Sequence, residues 1–353
     1  EDEAPSLLVA ALVERPLVHE VSDKRQFGRL ARAAGVEGPD SRRGEVVPRH
    51  YETLAELRAA EKSGGLARGS ETLLFVKNRH ASLGEGVACV KAGELLEDPG
   101  RRILNGEAFC DQTDVIQTGV SNLYLHEGTY KMTLRAYVVA WAGRVYVSRS
   151  CYAVVHTARQ YDDACVDYDL QVANKGDEGD GTVRKVPLHK IDGASPTAGN
   201  DGAEQGELLG AVISACRRAA PMFRRIVDAT APGSFSSMLG LDVLPENDGS
   251  VSFRRYALLG VDLLPQAAAP GGEGPGGQGP PGVAGCQLLE CNFFPNLAVP
   301  GDQDEIQREV IQPMLQGFMR LVLGDMGEEV ASEMGLAGEP APASGEAPGA
   351  AEG

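Results

Sequence analysis

The chain has 353 residues, 42% of them hydrophobic and 24% charged, and a formal net charge of −17. That length and balance suit two or three closely packed globular domains. The charge speaks against nucleic acid and anionic membrane as partners, since both are held by clustered Lys and Arg, and no apolar run approaches the roughly 18 residues of a membrane span.

In chain order, residues 22–35 read as a helix. Ser22 caps it, Phe27, Leu30, Ala31 and Ala34 recur at helical spacing, and Gly35 closes it. A second helix is expected over 51–61, stopped at Gly64-Gly65. Residues 72–76 and 87–90 read as strands around the turn Gly84-Glu85-Gly86, and 114–117 follows as another extended run. Segments 129–140 and 144–155 carry the β-branched and aromatic content of paired strands, with Ala142-Gly143 as their turn.

Residues 178–206 are polar and turn-rich, which predicts a surface loop. The pattern over 208–227 is helical, bent or divided by Pro221. Two similar pieces come next, Gly240-Leu241-Asp242 and Gly260-Val261-Asp262, too few and too short in period for a stacking repeat. Segment 266–285 is rich in Pro, Gly and Ala and predicts a flexible insertion between two strands. Residues 306–323 predict a helix interrupted or bent at Pro313, and the tail 337–353 has the composition of a disordered segment.

Seven cysteines are scattered without a CxxC pair, and six histidines are equally dispersed. This favours reduced thiols in a cytoplasmic protein and argues against a zinc site. There is no signal-peptide pattern, and a start at Glu1 instead of Met leaves room for a preceding segment.

Three constellations carry chemistry. In the run 287–292, Glu290 and Asn292 point the same way if the segment is a strand. Two hard oxygen donors on one face suit Mg²⁺. Lys77 ends an apolar strand, and the Gly84-Glu85-Gly86 loop follows; an anchored ammonium and a glycine loop with free N–H groups can together hold phosphate oxygens. Lys131, Thr133 and Arg135 share one face of a strand whose other face is apolar, and Arg149 on the next strand would add a third cation. Two cations on a central strand are costly unless anions meet them. The plain alternatives are a solvated strand end, a surface lysine before an ordinary hairpin, and a solvated outer face.

Taken in order, these pieces resemble the tubulin–tyrosine ligase-like family, a branch of the ATP-grasp ligases. The matching segments are Phe75-Val76-Lys77, Gly84-Glu85-Gly86, Val115-Ile116-Gln117, Lys131-Met132-Thr133-Leu134-Arg135, Val147-Ser148-Arg149, Asn174, Gly260-Val261-Asp262 and Leu289-Glu290-Cys291-Asn292. Each alone is weak; their order over about Leu73 to Leu297 is what carries the resemblance.

It implies an α/β (α+β) ATP-grasp fold. ATP would lie between a central lid, 51–120, and a larger C-terminal domain, 121–330, behind a partial N-terminal domain, 1–50. It further implies that Lys77, Gly84 and Gly86 meet the ATP phosphates and that Gln117 and Val120 line the adenine hinge. Lys131 would face the base, with Asn174 in the same nucleotide set. Arg135 and Arg149 would be catalytic, meeting the γ-phosphate or an acyl-phosphate, and Asp262, Glu290 and Asn292 would hold Mg²⁺. Asp242 is the rival of Asp262.

The activity implied is an ATP- and Mg-dependent ligation of an amino acid to a protein carboxylate. Tubulin or another protein would be the acceptor, in the cytoplasm or at the cytoskeleton. Three departures stand out. Thr133 occupies a place where the family has an acidic residue, Gln171-Val172-Ala173-Asn174 replaces its His-Leu-Thr-Asn, and the strong negative charge is ill-suited to acidic tubulin tails. They motivate two alternatives: a weakly active or non-enzymatic nucleotide-binding module, and an ATP-grasp ligase of a small molecule.

Overall fold

A computed structural model describes residues 6–10, 23–38, 45–66, 68–81, 86–141, 144–172, 182–192, 206–228, 251–268, 282–292, 297, 304–323 and 336–338. Strand β1 (Ser6–Ala10) is followed by helix α1 (Lys24–Ala33). The N-cap of α1 is Asp23, not Ser22, which lies outside the described residues. The Asp23 carboxylate accepts from Arg25 N at 2.8 Å, and Gly35 ends the helix at φ 69°. Strand β2 (His50–Tyr51) precedes α2 (Leu54–Lys62), which starts later than expected because Tyr51 is held in a sheet and Thr53 supplies the cap. Then come β3 (Leu73–Asn78), β4 (Val87–Lys91), α3 (Ala92–Glu97), β5 (Arg102–Leu104), β6 (Glu107–Ala108) and β7 (Asp114–Thr118).

Strands β2, β7, β3 and β4 form a four-stranded antiparallel sheet in that order. One face buries Tyr51, Leu74, Val76, Val90 and Ile116 under Leu57 of α2 and Leu95 of α3. Alternation then puts His50, Phe75, Lys77, Cys89, Val115 and Gln117 together on the other face.

The second half contains β8 (Met132–Trp141), β9 (Arg144–Ser148), β10 (Tyr152–His156), α4 (Tyr168–Gln171), β11 (Val183–Pro187) and α5 (Leu188–Asp192). It continues with α6 (Glu207–Arg218), α7 (Ala220–Asp228), β12 (Val251–Ala267) and β13 (Val283–Asn292). A π-helical turn at Gln307–Ile311 leads into α8 (Gln312–Leu323), and β14 (Leu336–Gly338) closes the order. These strands, with β1, make an eight-stranded mixed sheet around the antiparallel pair β8 and β12. The outer edge of β12 takes β13 and, in parallel, β1. The outer edge of β8 is shared by β10 and β9.

One face of this sheet buries Met132, Leu134, Ala136, Leu259, Val261, Leu263 and Leu288 against Val212, Cys216 and Phe223 of α6 and α7. Phe27 and Ala31 of α1 join the same core. On the other face, Tyr137 and Tyr152 are covered by Ile306, Val310, Ile311 and Met314. The α+β class expected from the sequence is observed, as two sheets whose polar faces meet.

Several expectations are corrected. Among the described residues of 1–50, β1 joins the large sheet and Phe27, Val36, Val46 and Val47 lie in its core. Segment 144–155 is two strands. The register against β8 slips by two residues between Val147 and Tyr152, where Ser150 N donates to Ser148 Oγ at 3.1 Å and bends the chain locally. The expected loop 178–206 contains β11 and α5, and α6 ends at Arg218, with Pro221 in the first turn of α7 where its missing N–H is harmless. The insertion expected at 266–285 starts and ends inside the β12–β13 ladder, which pairs Gln266 with Gly285 and Ala267 with Val283. Likewise Ala337 and Gly338 of the expected tail pair with β9. The turn Ala142-Gly143 and residues 269–281 and 339–353 lie outside the described residues. All seven cysteines are free, and no described helix is long and apolar enough to cross a membrane.

Helix α1 is tied to the small sheet as well as to the large core. Asp23 pairs with Arg79, Lys24 donates to Ala81 O, and Arg25 Nη2 donates to Asp114 O at 2.7 Å. Arg29 Nε and Nη2 meet the Glu52 carboxylate at 2.6 and 2.5 Å.

Candidate functional site

Arg135, Asp262 and Glu290 make one rung across β8, β12 and β13, because Asp262 is in register with both of the others. Arg135 donates from Nε to Asp262 Oδ1 at 2.5 Å and from Nη2 to Oδ2 at 2.9 Å, the fork-to-fork geometry that suits guanidinium and carboxylate. Asn292 Nδ2 lies 3.4 Å from Asp262 Oδ2 and 3.4 Å from Glu290 Oε1. A register shift next to Asp262 leaves Leu289 as an extra residue in β13. This bulge lets Leu288 face the core while Glu290 faces the rung; unbroken alternation would put both on one side.

Across from the rung stands the polar face of the small sheet. Lys77 is only 9% exposed, and its Nζ donates to Gln117 Oε1 at 2.5 Å. Gln117 Nε2 lies 3.0 Å from His50 Nε2 and donates to the freed Leu289 carbonyl at 3.1 Å. Burial pushes Lys77 down to about 8, with Glu290 opposing. Burial alone would raise Glu290, but the Lys77 charge, the Asp262 hydrogen bond and the Lys24 and Arg135 charges together outweigh it and hold the carboxyl below its ordinary value. Burial pushes Asp262 up to about 6 against the pull of Arg135, with the Glu290 charge adding to the rise.

Lys131 sits just before β8 on the same face as Thr133 and Arg135, and is 4% exposed. Its ammonium donates to Gln171 O at 2.7 Å and to Gln171 Oε1 at 3.1 Å. The Phe75 and Tyr161 rings flank it, with centroids at 5.8 and 5.5 Å. Burial pushes Lys131 down to about 8, and pushes the neighbouring His156 to about 4 with help from the Lys131 charge.

Thus Lys77, Gln117, Lys131, Arg135, Asp262, Glu290 and Asn292 come together between the sheets. Val120 is half-buried in the link that follows β7. Gln117 spends its amide on Lys77, His50 and Leu289. Gly86 is explained by its turn: its φ is 61°, and a Cβ there would lie 2.9 Å from Ala81 Cβ. Arg149 is not on a strand as expected. It falls, half-buried, in the break between β9 and β10. Gly84, Asn174 and Asp242 lie outside the described residues.

The sequence reading missed Lys24, His50, Phe75 and Tyr161, and took Gln171 only as a departure. Lys24 opens α1, and the charge of Glu290 counters the burial that lowers its pKa. No spacing rule could single out these residues, since they reach the cleft from separate elements.

Among the described residues, no three His, Cys, Asp or Glu side chains cluster to hold a metal. The candidate oxygen set is two carboxylates and an amide, the hard donors Mg²⁺ takes. Both Asp262 oxygens already accept from Arg135, and Oδ2 accepts from Asn292 as well, so Oδ1 is the one that retains a lone pair for a metal.

No family model matches the chain, and no curated protein sequence matches it. Among solved structures, the C-terminal domain of Pby1 from K. lactis, described as an ATP-grasp enzyme interacting with the mRNA decapping enzyme Dcp2, is similar over 89% of this chain and 75% of that one. The TM-score is 0.47 and the identity 12%.

Proposed function

We propose that the cleft binds MgATP and that the chain is an ATP-grasp ligase. In this reading it joins an amino acid to a protein carboxylate through an acyl-phosphate. The observation that carries the reading is the pair of buried lysines, Lys77 across from the rung of Arg135, Asp262 and Glu290 and Lys131 on the same face as that rung. Among the described residues, the hydrogen bonds of Lys131 go to neutral oxygens of Gln171. A buried ammonium of that kind is costly, and a polyphosphate would supply the missing negative charge.

In the reaction, a carboxylate oxygen of the acceptor attacks the γ-phosphorus and ADP leaves, giving an acyl-phosphate. The amino acid's amine then attacks the carbonyl carbon, phosphate leaves, and the nitrogen gives up a proton. Lys77 and Arg135 would neutralise charge on the transferring group, and Lys131 would hold the base side of the nucleotide. Asp262, Glu290 and Asn292 would hold Mg²⁺, which when bound draws charge from the phosphate oxygens.

Thr133 favours a second reading, a nucleotide-binding member with little turnover. It lies on the face between Lys131 and Arg135, where the resemblance implies a carboxylate. The net charge of −17 favours a third, a small-molecule acceptor in place of an acidic tubulin tail. Tubulin as acceptor, and a cytoskeletal location, belong to the first reading only. Purified protein incubated with labelled ATP and a panel of amino acids, with and without tubulin, separates the three. ATP-dependent incorporation into tubulin supports the first, and binding without turnover the second. Turnover that needs no protein acceptor supports the third. Absence of any thermal shift at millimolar MgATP would sink the nucleotide reading.

A further inference from the structure

Lys77 can only donate hydrogen bonds, so the oxygen of the Gln117 amide must face it, and that oxygen is 2.5 Å away. The amide nitrogen is thereby turned toward His50 Nε2 at 3.0 Å and the Leu289 carbonyl at 3.1 Å. An NH₂ group donates, so His50 Nε2 accepts. The ring proton then falls on Nδ1, which faces Glu37 Oε1 at 3.5 Å. Each assignment follows from the one before, beginning at the ammonium.

The imidazole is held firmly for this task. His50 is 3% exposed, and its ring meets Phe27 edge-on with centroids 5.6 Å apart. Gly28 of α1 leaves the room it needs, since a Cβ there would lie 2.7 Å from His50 Cβ. Glu37 is fixed in turn, accepting from His50 N at 2.8 Å and from Arg32 Nε at 3.0 Å.

We propose that His50 is a positioning residue for nucleotide binding. Acting through Gln117, it fixes the Lys77 ammonium relative to the bulge of β13 that presents Glu290. The inference rests on the MgATP reading of the cleft. Without an acceptor at His50, the Gln117 NH₂ keeps one of its two partners, the Leu289 carbonyl, and is held less firmly against turning toward an ammonium that has nothing to accept with.

The test is calorimetric titration of the full chain with Mg²⁺ and a non-hydrolysable ATP analogue, followed to millimolar ligand. His50→Leu should weaken binding about tenfold, the worth of one hydrogen bond to a charged group's partner. His50→Gln, whose side-chain oxygen can accept from Gln117, should stay within about threefold of the parent. In a Lys77→Met background, His50→Leu should add no further loss, because the residue it positions is gone. Gln117→Leu should behave like His50→Leu and mask it; if His50→Leu does not fold, Gln117→Leu with and without Lys77→Met makes the same comparison. Normal binding by the parent protein with equal losses in both backgrounds overturns the role of His50 alone. Failure of His50→Gln to rescue overturns it too. Failure of the parent to bind overturns the MgATP reading and this role with it.

Discussion

Arg135 and Asp262 stand opposite one another on adjacent strands and share two hydrogen bonds, with Asp262 only 5% exposed. The cation expected to meet phosphate is thus neutralised by the carboxylate expected to meet metal. Removing one member leaves the other charged and buried. Arg135→Leu should therefore destabilise the ligand-free chain by about 3 kcal/mol, read from urea unfolding. Adding Asp262→Leu should recover a good part of that loss. A double variant no more stable than the single one would show that the unpaired carboxylate is not the cause.

A second expectation concerns alkaline pH. Lys77 and Lys131 are each pushed down to about 8 from an ordinary 10.5. Between those values the unfolded chain binds more protons than the folded one, so stability rises with pH across that window. The burial penalty is fully present below pH 8 and fades toward 10.5. Relative to Lys77→Met/Lys131→Met, the parent should gain stability from pH 8 to pH 10 in chemical melts. Bound phosphates reverse the trend, since they favour the charged amines, so MgATP affinity should fall above pH 8. Parallel stability profiles for parent and double variant would refute the assignment.

The metal set makes a third. Glu290→Gln keeps the shape of the side chain but removes an anionic oxygen. The Mg²⁺-dependent part of ATP-induced thermal stabilisation should drop sharply, since a ligand that binds only the folded state stabilises it by mass action. Asp262→Asn should do the same and Asp242→Asn should not. A larger effect at Asp242 would transfer the metal to the other Gly-x-Asp segment.

Thr133 offers the fourth. It is half-buried on the cation face of β8, between Lys131 and Arg135. A carboxylate about 4 Å from one of these cations interacts by roughly 4 kcal/mol at an effective dielectric near 20, before solvation offsets. Thr133→Asp should raise ATPase or ligation activity above that of the parent while the parent binds ATP with weak turnover. Parent turnover at about 1 s⁻¹ or faster would refute the idea that this position limits the reaction.

Much of the cleft could be read from strand period alone. The shared face of Lys131, Thr133 and Arg135, and that of Glu290 and Asn292, follow from alternation, which depends only on the chain being extended. What escaped the reading depends on distant pairing. The Leu289 bulge needs β12 as a partner, and the break at 149–150 arises because β9 and β10 must share one edge of β8. The parallel pairing of β1 with residues 251–255 joins segments distant in the sequence, and no local pattern announces it. His50 stands just outside the helix expected over 51–61 and draws no notice, since its partner Gln117 lies far along the chain.

Helix α1 has its apolar side in the core of the large sheet and its charged start pinned to the turns of the small one. Swinging the small sheet outward would mean either pulling Phe27 from that core, at about 2 kcal/mol for the side chain alone, or parting the Asp23, Lys24, Arg25 and Arg29 contacts together. The two halves are therefore coupled in unfolding as well as in space. Hydrogen exchange should register β3, β7, β8 and β12 opening as one cooperative unit, with α1 as the last common element to lose protection.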